Sequence, residues 1–327
     1  MSSPISAGSP ATTSTGQPSQ EMTLEYLRAK GPPYPPRMAS FGGSPHGSID
    51  IGISAMFIGI FACLAITHMT LFRRNKARGH FFVLSAVTFG FCMARIATFS
   101  MRIASTKNPT NPQVAIVATV LISAGVILLY IINLIFAQRV LRGYHPKFGN
   151  SRVVGIAFKA YFASIVAVLI MVIVASVKMF FTLDMSVLMK CRDIQRFGII
   201  WFSIFSFLPI PIVLLSYLIP SSTGPENFGK RGTLGQKLLI VLAAGCILTL
   251  ENSVRAASAF LPSRSPTDPA WYHKRAAFYV FLPTMEVMVV VLYAATRVDQ
   301  RMWIPGKSEE QAAQEEVEAD KQETRSA

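Results

Sequence analysis

Charge is scarce in this chain. Asp, Glu, Lys and Arg make up 15% of its 327 residues, whereas a soluble domain carries roughly 25%. Half of the sequence is hydrophobic and its mean hydropathy is positive. This excludes an ordinary soluble domain and points to the membrane class. Cysteine is scarce too. Cys63, Cys92 and Cys246 sit inside apolar runs and read as small buried hydrophobes, while Cys191 falls in a loop with no partner, so no disulfide framework is expected. The histidines (His46, His68, His80, His145 and His273) fall at or beyond the ends of the apolar runs and have no paired Asp. The ligand set of an intramembrane metal hydrolase is therefore missing. The last apolar run has no Lys to hold retinal as a Schiff base, and no nucleophile–base pair lies within the runs. The residues argue against an enzyme and require neither cofactor nor metal.

What the sequence has is seven long apolar stretches. A helix needs about 20 residues to cross a hydrocarbon core of ~30 Å. The stretches at 51–72, 81–101, 114–136, 157–179, 198–219, 238–260 and 276–296 meet that length. The predicted fold class is all-α, a polytopic membrane protein built as a bundle of seven transmembrane helices. Pro209 and Pro211 are expected to kink the fifth helix and Pro283 the seventh. Residues 1–48, rich in Ser, Thr, Gly and Pro, read as a disordered tail, 49–304 as the membrane domain, and 305–327 as an acidic disordered tail. The N-terminus has no basic and apolar signal regions, so the first helix is expected to direct its own insertion.

The net charge of +14 suggests nucleic acid only in a soluble protein. Here the bases cluster in short loops, where orientation explains them. The loops near 73–78, 139–152 and 230–237 and the segment after 297 carry fourteen Lys and Arg, against nine on the other side. Basic loops stay cytosolic, which places the N-terminus outside and the C-terminus inside, with the plasma membrane as the expected location. Trp271 and Tyr272 on the outer side and Trp303 on the inner fit interfacial aromatic belts.

Four ionisable residues lie inside the apolar stretches: Arg95, Glu251, Arg255 and Glu286. Each charge at mid-bilayer costs roughly 2.5–3.5 kcal/mol on insertion scales. The two on helix six cost about 5–7 kcal/mol, while its ten Leu, Ile, Val and Phe residues return about 3–6 kcal/mol. Glu251 and Arg255 are spaced i,i+4 with the acid first, so one reading is a self-neutralised pair that lets the helix insert. Arg95 and Glu286 have no partner on their own helices. Arg95 extends a stripe of Ser85, Thr88, Cys92 and Arg102, and Glu286 lies between Tyr279 and Tyr293 on nearly the same face. Helix three offers Ser123, Tyr130 and Asn133. Such stripes turn inward, because lipid offers them no hydrogen bonds. Counting ~1.5 Å per residue puts Arg95, Glu251 and Arg255 in the outer half and Glu286 near the middle. The candidate cluster is Arg95, Glu251, Arg255, Glu286, Tyr130, Asn133 and Tyr279. It reads either as a polar site open to the outside or as a structural Arg95–Glu286 clamp.

The runs GFCMARIATFSMRIASTKNPTNPQVAI and AGVILLYIINLIFAQRVLRGYHPKFG, followed by FLPIPIVLLSYLIP, PAWYHKRAAFYVF and LYAATRVDQRMWIP, resemble a family of fungal seven-helix membrane proteins of unknown function. Its members are often labelled family C-like G-protein-coupled receptors. A more distant likeness is to the fungal lipid-translocating, toxin-resistance family: seven helices with a late Glu and Arg. The resemblance implies topology and leaves activity open, because helix three ends in NLIFAQRVLR rather than an acid–Arg–aromatic triplet. The expected partners are membrane lipids, a small or lipidic ligand, and a cytosolic signalling partner at the basic loops RRNKARGH and RGYHPKFGNSR. The expected role is receptor-like, with a lipid or small-molecule translocator and a purely structural protein as alternatives.

Overall fold

The computed structural model describes residues 25, 27–34, 42, 47–108, 111–221, 224–261 and 270–304. Both predicted tails lie largely outside these residues. Among them there is no strand, and seven helices are long and apolar enough to cross a membrane: α1 (Gly47–Ala77), α2 (Val83–Lys107), α3 (Pro112–Tyr144), α4 (Arg152–Met179), α5 (Met185–Leu218), α6 (Leu234–Phe260) and α7 (Arg275–Ala295). Local sequence sets their starts. Asn111 and Thr233 cap α3 and α6 by accepting from the backbone N–H of Gln113 and Gln236 at 3.0 and 3.4 Å, and Ser151 caps α4 by accepting from Val154.

Consecutive helices pack side by side, α7 returns to α1, and α3 crosses the ring to touch α2, α4, α5 and α6. The second half of α3 is therefore buried on nearly every side, including Ile127, Leu129, Tyr130, Ile132, Asn133 and Phe136. That is why this segment is apolar all round rather than amphipathic. The bundle is inverted relative to a soluble protein. Ile66, Val166, Ile170, Val174 and Leu239 point outward, while Asp50, Arg95, Arg102, Lys237, Glu251, Glu286 and Asp299 are buried. Small residues allow close approach: a Cβ on Gly198 of α5 would lie 2.2 Å from Val172 on α4.

Several expectations change. Helix five begins at Met185, thirteen residues before its apolar run, so Cys191 is buried in a helix and not in a loop. The helix simply continues beyond its membrane-apolar part. His68 lies within α1 and is buried, donating from Nε2 to Val290 O at 3.2 Å, so it is not a helix-end residue. Arg102 and Lys237, counted as loop cations, are buried. Ser123 does not join Tyr130 and Asn133 in the interior; it is partly buried and donates to Thr119 O at 3.0 Å within its own helix.

Three helices are irregular. Helix α5 is broken at Leu208, just before Pro209, and α7 contains a π-turn, Val280–Thr284, around Pro283. These are the proline effects expected from the sequence. Helix α3 is interrupted at Val126, beside Gly125, which no proline announced.

Candidate functional site

The buried polar residues form a chain of separate clusters running along the bundle. At the end carrying Gly47, Asp50 of α1 is the hub. Its carboxylate accepts from Tyr279 OH at 2.9 Å, from Arg102 Nη2 at 3.4 Å and from Arg275 Nη1 at 3.4 Å. Arg102 also donates to Gly42 O at 3.1 Å and stacks over the Phe278 ring at 4.4 Å. Two cations and a hydroxyl around one buried acid offset the cost of its desolvation.

The middle of the bundle holds the four charges picked out from the sequence. Arg95, midway along α2, donates through Nη2 to Glu286 Oε1, midway along α7. Its Nη1 reaches Leu121 O at 3.3 Å and Ile122 O at 3.4 Å, carbonyls of the turn before the interruption in α3. Gly125 makes room for the guanidinium: a Cβ there would sit 2.8 Å from Arg95 Cζ. On α6, Arg255 Nη1 approaches Glu251 Oε1 only to 4.0 Å. Among the described residues neither oxygen of Glu251 has a hydrogen-bond partner, nor does Tyr130 OH, although all are buried. Such orphaned groups are rare in folded proteins and mark strain, function or an interior ligand.

Toward the Ala77 end the chain continues. Tyr293 OH donates to Asn133 Oδ1 at 3.3 Å, and Asn133 donates to Val241 O at 3.4 Å. Asn75 donates to Asp299 Oδ2 at 2.7 Å, and Arg297 grips the same carboxylate through Nε at 3.0 Å and Nη2 at 2.9 Å. Burial raises the Asp299 carboxyl, but the hydrogen bonds from Arg297 and Asn75 outweigh it and hold the group below the ordinary Asp range. The hydrogen bonds to Asp299 in turn raise the Arg297 guanidinium. Lys237 donates to Asn227 Oδ1 at 2.6 Å and to Phe228 O, so the 225–233 segment folds over this end.

Of the candidate residues, the structure pairs Arg95 with Glu286 and sets Glu251, Arg255 and Tyr130 within Coulombic reach of that pair. It places Tyr279 in the Asp50 cluster and Asn133 on the opposite side of the charges. The cluster is not open to the outside among the described residues. The cavity against Arg95, Thr98, Phe99, Phe278 and Glu286 measures about 10 Å³, room for one water and far below the several hundred Å³ of a small-molecule pocket. A larger groove of about 360 Å³ lies between α1 and α2, lined by Ala62, Ala65, Met69, Phe89, Met93 and others, and it is apolar except at Thr70 and Arg73. Sequence reading missed Asp50, Lys237 and Asp299. Asp50 looked like a residue just outside the first span, and the other two like loop charges.

Seven apolar helices around a buried charge network make this an integral membrane protein. The model of a family described as "Protein of unknown function (DUF3112)" matches residues 146–233 and 228–303. That stretch contains Glu251, Arg255, Tyr279 and Glu286, while Arg95, Tyr130 and Asn133 lie outside it. No curated protein and no solved structure matches the chain.

Proposed function

We propose that the protein is a translocator of a small or lipidic solute, with the buried polar chain as the element that rearranges during transport. The observation that carries this reading is the succession of buried polar clusters along the bundle, around Asp50, Arg95 and Glu286, Asn133 and Tyr293, and Asp299. A transporter needs polar groups through both halves of the membrane, and the sequence alone offered only Asn133 and Gln138 in the inner half. His68, Asn75, Lys237 and Asp299 add to that half. Interrupted helices beside buried charges also suit alternating access, in which half-helices move around a central site.

A receptor-like reading keeps specific support in the small size of the cavity beside the charges, about 10 Å³ among the described residues, and in the basic Ala77 end, which suits a cytosolic partner. The resemblance to fungal seven-helix proteins labelled as receptors points the same way. For both readings we place the N-terminus outside, the C-terminus in the cytosol and the protein in the plasma membrane, on the loop-charge bias.

A deletion strain separates the two. Accumulation of a fluorescent short-chain phospholipid and of a lipophilic cation is measured alongside cytosolic Ca²⁺ and cyclic-nucleotide responses. Altered accumulation with unchanged signalling supports translocation, and the reverse outcome overturns it.

A further inference from the structure

Glu251 is the most anomalous buried group in the bundle. Its side chain is fully buried, and neither carboxylate oxygen has a hydrogen-bond donor among the described residues. The four neighbours that bear on its charge come from four helices: Arg255 from its own α6, Arg95 from α2, Tyr130 from α3 and Glu286 from α7. Helix α5 also packs on α6 here but contributes hydroxyl and carbonyl groups, Ser203 Oγ to Asn252 and Ser206 O to Thr249. The nearest cation, Arg255 Nη1, stops at 4.0 Å from Glu251 Oε1 and forms no hydrogen bond to it. The other cation, Arg95, is committed to Glu286.

An ionised carboxylate in this position would be desolvated without the hydrogen bonds that normally compensate it. A protonated carboxyl has no charge to desolvate and becomes a donor as well as an acceptor. Charge balance runs the other way: the two Arg and two Glu cancel when all are ionised, and with Glu251 neutral one positive charge remains, on Arg255. That side chain is 17% exposed, while those of Glu251, Arg95 and Glu286 are at 0, 3 and 1%. The uncompensated charge thus sits on the member of the four that still reaches out of the core. Tyr130 OH is likewise buried with no hydrogen-bond partner among the described residues.

We infer that Glu251 is a proton-binding site, occupied in the closed bundle and emptied when the bundle opens Glu251 to water. On uptake the carboxylate takes a proton from hydronium and releases a water molecule; on opening it returns the proton to bulk water and pairs with Arg255. The inference deepens the translocator reading by naming the proton as the coupled ion.

The test is infrared difference spectroscopy on the full chain in phospholipid bilayers at neutral pH, in H₂O and D₂O. It involves no transported solute, so it succeeds or fails independently of the flux experiment. The expected result is a protonated-carboxyl C=O band that shifts in D₂O, disappears in Glu251→Gln and persists in Glu286→Gln. A parent spectrum with no such band, a band retained in Glu251→Gln, or a band lost in Glu286→Gln overturns the assignment. Where Glu251→Gln does not fold, Glu251→Asp replaces it, and a band whose frequency is unchanged in that variant overturns the assignment equally.

Discussion

Removing either partner of the Arg95–Glu286 pair tests whether it holds the bundle together. Both side chains are almost fully buried, at 3% and 1% exposure, so solvent screening hardly weakens the pair. Without Glu286, Arg95 keeps only two long contacts to Leu121 O and Ile122 O and the Phe91 face at 5.4 Å. Without Arg95, the Glu286 carboxylate has no other hydrogen-bond donor among the described residues. Breaking a buried pair on one side costs about 3–5 kcal/mol, because a desolvated charge remains. That is a factor of roughly a hundred to several thousand in the folding equilibrium. Arg95→Ala and Glu286→Ala should each lower the melting point and the monodisperse yield in detergent, measured by fluorescence-detected size-exclusion chromatography after graded heating. The double variant should recover part of the loss, since no unpaired charge is left. Two single variants that melt like the parent, or a double variant whose loss is the plain sum of the singles, refute the pair as a stabilising unit. In the first case the charges sit in a wetter environment than their packing implies.

Gly125→Ala should destabilise by about 1–3 kcal/mol in the same assay, because its Cβ would displace the Arg95 guanidinium; an unchanged melting point would show that the guanidinium has room to move. Asp299 has a folded-state pKa held below its unfolded value, so its contribution is present above pH ~3.9 and is lost as the pH falls below that value. Asp299→Asn should therefore lower the melting point at pH 7 and flatten its fall on acidification, and parallel parent and variant profiles would remove Asp299 as the cause. A C-terminal tag should stay intact when unpermeabilised cells are treated with protease, and digestion of the tag reverses the proposed topology.

The architecture was legible because hydropathy over twenty residues reports directly on the thickness of the membrane. Arg95 and Glu286 could be matched by elimination, each being the lone charge on an apolar helix. What the sequence hides is depth near the helix ends. Asp50, Arg102, Lys237 and Asp299 lie within a turn or two of a helix terminus, where a charge looks solvated. Whether such a residue is buried depends on what folds over it, here Gly42 at one end and the 225–233 segment at the other. The same limit misplaced Cys191. Its neighbours Lys190, Arg192 and Asp193 ended the apolar window, whereas the helix needs only satisfied backbone and runs on from its Asp184 cap. The break at Val126 had no proline to announce it, and Arg95 donates to the Leu121 and Ile122 carbonyls in the turn just before it.

Two of the three irregular helices, α3 and α7, and the charges are parts of one construction. Pro283 has no N–H, so the carbonyl of Tyr279 loses its usual partner, and the Thr284 hydroxyl takes it at 2.8 Å. Tyr279 is thereby fixed at both ends: its carbonyl closes the π-turn, and its hydroxyl donates to Asp50. Glu286 follows on the same face two turns later, paired with Arg95, whose other nitrogen holds the broken turn of α3. A shift that straightens the π-turn must therefore change the Asp50 cluster, the central ion pair, or both. Packed interiors respond to such demands by switching between discrete arrangements rather than by bending continuously. The backbone irregularities and buried charges are thus coupled through shared residues, and in the proposed transport cycle Glu251, with both oxygens unpartnered among the described residues, is the group whose protonation favours one arrangement over another.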